Sequence, residues 1–267
     1  MAFLTDNKEI KTSDRKGSGW AAFLHRGLYM KAVILAAGVG HRFKELTKYK
    51  NKAFFTIGQT MVIKQIIQYL LQAGIRDITI VTGHRHEDFS ILKKNYPIHI
   101  LYNTAYGEYN NIHSLALIAE QLNECWLIHG DTVLFKNIFK EAFTHTTFYT
   151  MLKRPNGAPV RVVEVDEQHH IQGFHIDRGE RRVLSLLGVS YWRKDAQMIL
   201  LETLNHLHEK EKKRFDGEWE ELLQEVVKKV EVDAYQLDRK YGGDLNTMKD
   251  YQEIVETYDR YWKSMRK

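Results

Sequence analysis

The sequence predicts an α/β architecture: a Rossmann-like, mostly parallel sheet flanked by helices, with an added antiparallel portion. Two observations carry this. Between residues 30 and 129, short apolar runs alternate four times with stretches of helical apolar spacing, the rhythm of strand-helix-strand units. After residue 145 the rhythm gives way to four strand-like segments broken by turn residues, as in antiparallel hairpins.

The elements follow in order. Ala32-Val33-Ile34-Leu35 is a short buried-strand run, and residues 61–71 carry helical spacing that stops at Gly74. Ile78-Thr79-Ile80-Val81 is the next strand, 87–95 a helix, 98–102 a strand, 112–122 a helix and 126–128 a strand. The antiparallel segments are expected at 147–153, 159–165, 170–176 and 183–191. Helices at 195–210 and 217–229, a strand at 231–237 and a last helix from Asp244 to about residue 262 complete the chain. Residues 1–29 are polar, basic and aperiodic apart from 20–24, and read as a flexible N-terminal extension.

At 267 residues, 43% hydrophobic and 27% charged, the chain can bury a substantial core. A net charge of +5 suits polyphosphate anions but selects no partner by itself. No apolar stretch approaches the roughly 20 residues that span a bilayer, and no signal-peptide core precedes residue 30, so a cytoplasmic location without membrane insertion is expected. The single cysteine, Cys125, lies in an apolar run and is expected to be buried.

Chemistry concentrates in Leu35-Ala36-Ala37-Gly38-Val39-Gly40-His41-Arg42, which leaves the first strand. Glycines on either side of one residue let backbone N–H groups approach phosphate oxygens, and Arg42 adds a fork of donors. Glycine in such a turn also serves geometry alone. A dinucleotide fingerprint would need Gly or Ala at Phe43, and a P-loop would need Gly-Lys-Ser/Thr; neither is present. Asp131 follows a buried strand and Gly130, at the edge where ligands of parallel sheets collect. The 13 histidines show no convincing metal-ligand spacing and receive no role.

The glycine-rich segment, with Lys52 about ten residues beyond Arg42, resembles the signature of the sugar-nucleotide pyrophosphorylase superfamily. That family carries proline before the lysine, where this chain has Asn51. Tyr109-Asn110-Asn111-Ile112-His113-Ser114-Leu115 and Gly130-Asp131-Thr132-Val133-Leu134-Phe135-Lys136-Asn137 resemble the bacterial CTP:phosphocholine cytidylyltransferases. The resemblance implies a Mg²⁺-dependent nucleotidyltransferase domain over 30–267, with residues 30–145 binding the nucleotide and 146–267 the acceptor.

On that basis Arg42 and Lys52 are the expected catalytic cations. Leu35, Ala36, Ala37, Gly38, Gly40, Gly83, Asn110, Asn111 and Ser114 are expected to bind the nucleotide. Asp131 and Asp244 are expected to hold Mg²⁺, although Asp244 would also suit the cap of the last helix. Trp192, Phe215, Glu218, Trp219 and Glu220 form an expected aromatic and acidic cage for the acceptor, with core packing as the competing role of the aromatics. The expected partners are CTP, or UTP or dTTP, and a small phosphorylated metabolite such as phosphocholine, not nucleic acid; the number of subunits is left open. A glycosyltransferase would want Asp-x-Asp where His129-Gly130-Asp131 stands, and a non-catalytic relative would lack Lys52 or Asp131.

Overall fold

The structure, a computed structural model, describes residues 30–108, 111–140, 143–153, 155, 159–210 and 219–265. The expected extension, 1–29, therefore lies outside the described residues. Strands β1 (Lys31–Ala36), β4 (Asp77–Thr82), β5 (His99–Tyr102) and β6 (Cys125–His129) form the parallel heart of a nine-stranded sheet, in the order β5-β4-β1-β6. Two short strands, β2 (Thr56–Ile57) and β3 (Thr60–Met61), form a separate hairpin.

The later strands continue the same sheet rather than forming a second layer. β11 (Val183–Trp192) lies antiparallel to β6, to β8 (Thr146–Lys153) and to β9 (Val160–Val165); β10 (Ile171–Asp177) pairs with β9, and β12 (Val232–Gln236) runs parallel to β8. The sheet is thus mixed, parallel at the nucleotide-binding end expected from the sequence and mainly antiparallel beyond it.

Period-2 alternation divides the buried strand residues between two cores. Ala32, Ile34, Ile78, Ile80, Trp126 and Ile128 face one core, with Ile63, Ile66, Ile67 and Leu70 of the helix Val62–Gln72 packed over them. Val33, Val81, Cys125 and Leu127 face the other, covered by Ile112 and Leu115, by Ala196, Leu200 and Leu204 of Lys194–Lys210, and by Leu223 and Val226 of Leu223–Lys229. Burial on both faces explains why these strands read as continuous apolar runs. Cys125 is fully buried, and desolvation raises its thiol pKa far above the ordinary value.

The last helix is a departure from expectation. It starts at Met248, and its cap is Thr247, whose Oγ1 accepts the Asp250 N–H at 3.2 Å and donates to the Asp250 carboxylate at 2.8 Å. Asp244 is not a helix cap: it ends a short strand, β13 (Gly242–Asp244), which pairs antiparallel with β7 (Thr132–Leu134). None of the described helices is long and apolar enough to cross a membrane.

Candidate active site

The parallel strands end along one edge, and the glycine-rich segment turns there. Gly40 adopts φ 71°, and its carbonyl accepts the Phe43 N–H at 2.9 Å and the Thr47 hydroxyl at 3.1 Å. A Cβ at Gly40 would stand 2.9 Å from Thr47 Cγ2, so this position needs glycine twice over. Asn51 anchors the same region from below. It is 1% exposed; its Nδ2 donates to the carbonyls of Ala36 and His84, both at 3.0 Å, and its Oδ1 accepts the Ala53 N–H at 3.0 Å. One side chain thereby ties the end of β1, the turn after β4 and the short helical turn Lys52–Phe54. Rigidity that the resembling family draws from proline comes here from hydrogen bonds.

Asn51→Ala leaves these groups without their partners, and is expected to cost about 1–3 kcal/mol. A urea melt reads this as a lower midpoint with unchanged slope. An unchanged midpoint would show that water replaces the amide without loss.

The turn that Asn51 caps aims Lys52 across the edge at Asp131, and the two side chains form an ion pair. Burial pushes the Asp131 carboxyl up, but the Lys52 ammonium and His129 outweigh it and hold the group below the ordinary carboxylate range. Asp244 arrives through the β7–β13 ladder, in register with Thr132. Its Oδ1 accepts the Thr132 hydroxyl at 2.9 Å and the Gly188 N–H at 3.2 Å. Gly188 is required by this approach, since a Cβ there would lie 2.5 Å from Thr132 Oγ1. Burial holds the Asp244 carboxyl above its ordinary range; Lys153 opposes the rise and the charge of Asp131 adds to it.

Two cavities meet at this pair of carboxylates, sharing His129 and Asp131 as a common wall. The larger, about 570 Å³, is lined by Leu35, Ala36, Ala37, Gly38, Lys52, Asn111 and Ser114. The smaller, about 330 Å³, is lined by Arg42, Lys153, Arg161, Trp219, Glu220 and Asp244. A linear substrate pair joined end to end would place its reacting atoms at the shared wall.

Across these cavities, 31–260 matches the family model described as Nucleotidyl transferase. The chain belongs to the nucleotidyl transferase family. A choline-phosphate cytidylyltransferase of Haemophilus influenzae is 32% identical over 229 residues, spanning 85% of this chain and 97% of that protein. A 2-aminoethylphosphonate cytidylyltransferase of Lancefieldella rimae is 25% identical over 85% of this chain and 92% of its own length. Among solved structures, the CTP:phosphocholine cytidylyltransferase of Streptococcus pneumoniae superposes with a TM-score of 0.79 at 28% identity, over 85% of this chain and 98% of that one.

Within this nucleotidyl transferase, several expected residues take other places. Trp192 does not line the smaller cavity: it is 0% exposed, its indole N–H donates to Ser190 Oγ at 2.9 Å, and it packs on Phe148 and Trp219. Gly83 does not reach the larger cavity either, because Tyr106 and the Ala37 carbonyl close over it; a Cβ would lie 2.6 Å from Tyr106 Cβ. Gly40 shapes the turn rather than lining the cavity, and Arg42 faces the smaller cavity instead of the larger. Asn110, Phe215 and Glu218 lie outside the described residues.

The sequence reading missed Asn103 and Tyr106 in the larger cavity and Lys153 and Arg161 in the smaller. Asn103 directly follows β5, a strand-end position that could have flagged it. It is 1% exposed, donates to Ser114 Oγ at 3.0 Å and accepts the Ala105 N–H at 3.0 Å. His129, given no role from spacing, receives the Trp219 indole N–H on Nε2 at 3.2 Å.

Proposed function

We propose that the enzyme transfers CMP from CTP to phosphocholine or a close relative and releases pyrophosphate. The observation that carries the reaction is the pair of cavities that meet at Asp131, with Lys52 on one side and Asp244 on the other. The substrates come from the choline-phosphate cytidylyltransferases of near-equal length.

In this reading CTP occupies the larger cavity, held by the 35–38 segment, Asn111 and Ser114. The acceptor lies in the smaller one, its phosphate near Arg42 and its ammonium end against the Trp219 face and Glu220. An acceptor phosphate oxygen attacks the α-phosphorus in line; the new P–O bond forms as the bond to the β-phosphate breaks, and the electron pair leaves on pyrophosphate. Lys52 supplies fixed positive charge to the α-phosphoryl oxygens as negative charge builds there. No side chain forms a covalent intermediate.

Asp131 and Asp244 suit Mg²⁺. Two buried carboxylates raise each other's cost of ionisation, Lys52 compensates only Asp131, and both hydrogen bonds given to Asp244 fall on Oδ1, leaving Oδ2 for a cation. When bound, the ion neutralises the phosphate charge that the carboxylates' own field would repel.

A matrix of CTP, UTP, dTTP and GTP against phosphocholine, phosphoethanolamine, 2-aminoethylphosphonate and hexose 1-phosphates, scored for pyrophosphate, tests the proposal. CTP with phosphocholine or one of the two amines is expected to give the highest rate, abolished by EDTA. Equal or faster turnover of UTP or dTTP with a hexose 1-phosphate overturns the substrate assignment.

A further inference from the structure

We infer that His145, Glu231 and Asp233, with His170 as the fourth ligand, form a binding site for a divalent transition-metal ion of the Zn²⁺ class, apart from the active site. His145 precedes β8, Glu231 immediately precedes β12, Asp233 belongs to it, and His170 stands in the turn between β9 and β10. Sheet pairing brings them together: Asp233 is in register with Thr147 on β8, and it bridges His170 on the other side. The Ala234 N–H donates to the His169 carbonyl at 2.8 Å, so backbone bonds already hold the three segments.

The separations match the ion. Bonds of about 2.0–2.2 Å from Zn²⁺ to nitrogen and oxygen place tetrahedral ligand atoms roughly 3.3–3.6 Å apart. His145 Nδ1 lies 3.1 Å from Glu231 Oε1 and 3.4 Å from Asp233 Oδ2. His170 Nε2 lies 3.4 Å from the same Glu231 oxygen and 3.6 Å from Asp233 Oδ1. The ligand atoms of His145, Glu231 and Asp233 already lie within 4.8 Å of one another, and His170, whose ring centroid is 6.4 Å from that of His145, would join them by rotating toward the ion. Two imidazoles and two carboxylates are a donor set that Zn²⁺ accepts and Mg²⁺ does not favour.

An outer carboxylate orients the fourth ligand. His170 Nδ1 faces Asp166 Oδ2 at 3.5 Å, while Asp166 Oδ1 accepts the N–H groups of Gln168 at 3.0 Å and His170 at 2.9 Å. This is the carboxylate-histidine arrangement that sets tautomer and basicity at metal centres, which makes Asp166 a positioning residue. The site is distinct from the active site: none of its four residues lines either of the two cavities.

The test is Zn²⁺ titration by calorimetry into the EDTA-treated, tag-free full chain carrying Asp131→Asn and Asp244→Asn, which removes the active-site carboxylates. One equivalent is expected to bind, and Co²⁺ in its place is expected to show the strong visible bands of tetrahedral coordination. In the same background, His145→Ala and Asp233→Asn should each weaken Zn²⁺ at least about tenfold, and Asp166→Asn about 10- to 100-fold. His145→Ala in the otherwise unaltered enzyme should keep Mg²⁺-dependent pyrophosphate release, which certifies folding. No bound Zn²⁺ in the doubly substituted chain, or an affinity indifferent to His145→Ala, overturns the site.

Discussion

Asp131→Asn is expected to lower turnover at least about a hundredfold, because it removes the counter-charge of Lys52 and, on the proposed reading, an anchor for Mg²⁺. Asp244→Asn should fall by a similar factor for the second reason alone. The two differ in what they do to the fold. Asp131 has a folded pKa below its ordinary value of 3.8, so its ionised form stabilises the protein above that value, and this contribution is lost as pH falls through the folded pKa. Asp244 has the opposite shift, so its carboxyl opposes folding as pH rises through the raised pKa. Acid unfolding followed by fluorescence should therefore flatten at its low-pH end in Asp131→Asn, whereas Asp244→Asn should gain stability at neutral pH. Near-normal turnover of Asp244→Asn at saturating Mg²⁺ would leave β13 a purely structural strand.

Trp192→Ala is expected to cost about 3–5 kcal/mol, since a fully buried indole leaves a large cavity between Phe148 and Trp219. Its kinetic constants, measured on the folded fraction, should change little. Trp219 joins both worlds: it is 4% exposed and stacks on Phe148, yet it lines the smaller cavity and donates to His129. Trp219→Ala should lower the melting temperature and raise the KM for phosphocholine together. Trp219→Leu separates the two effects. It keeps much of the apolar bulk but removes the π face, worth roughly 0.5–2 kcal/mol or about two- to thirtyfold in affinity for a quaternary ammonium. The KM for CTP should stay nearly constant, and phosphoethanolamine should lose less, because its ammonium can hydrogen-bond to Glu220. A KM rise equal for CTP and phosphocholine would place Trp219 in the core alone.

These contrasts also mark what the sequence made legible. The glycine-rich turn and Asp131 could be singled out because each is tied to a strand end by short spacing, and strand ends are where a parallel sheet gathers ligands, whereas Lys52 is singled out by the resemblance alone. Trp192 could not be placed, because strand position alone does not say which face a side chain joins. Leu187, Val189 and Tyr191 face one core and Trp192 the other. Gly83 occupies the expected strand-end position, but Tyr106, 23 residues later, fills the space before it. Asp244 could be singled out for a metal by its position, but its place in a strand rather than at a helix cap could not be read, since the β7–β13 pairing joins segments with no shared local pattern. The cluster of His145, His170, Glu231 and Asp233 was invisible for the same reason: spacing rules detect ligands on one helix or loop, and these come from three segments of the chain.

The β7–β13 pairing also makes completion of the cavity wall a late event in the life of the polypeptide. The hydrogen bond from Thr132 to Asp244 closes a separation of 112 residues, so Asp244 takes its place only after the strands of the sheet and the helices that cover its second face have been synthesised. At about 5–20 residues per second, those 112 residues take roughly 6–22 s. On the proposed reading, a chain that stops before β13 would lack one of the two carboxylates, so turnover would depend on synthesis having reached that strand.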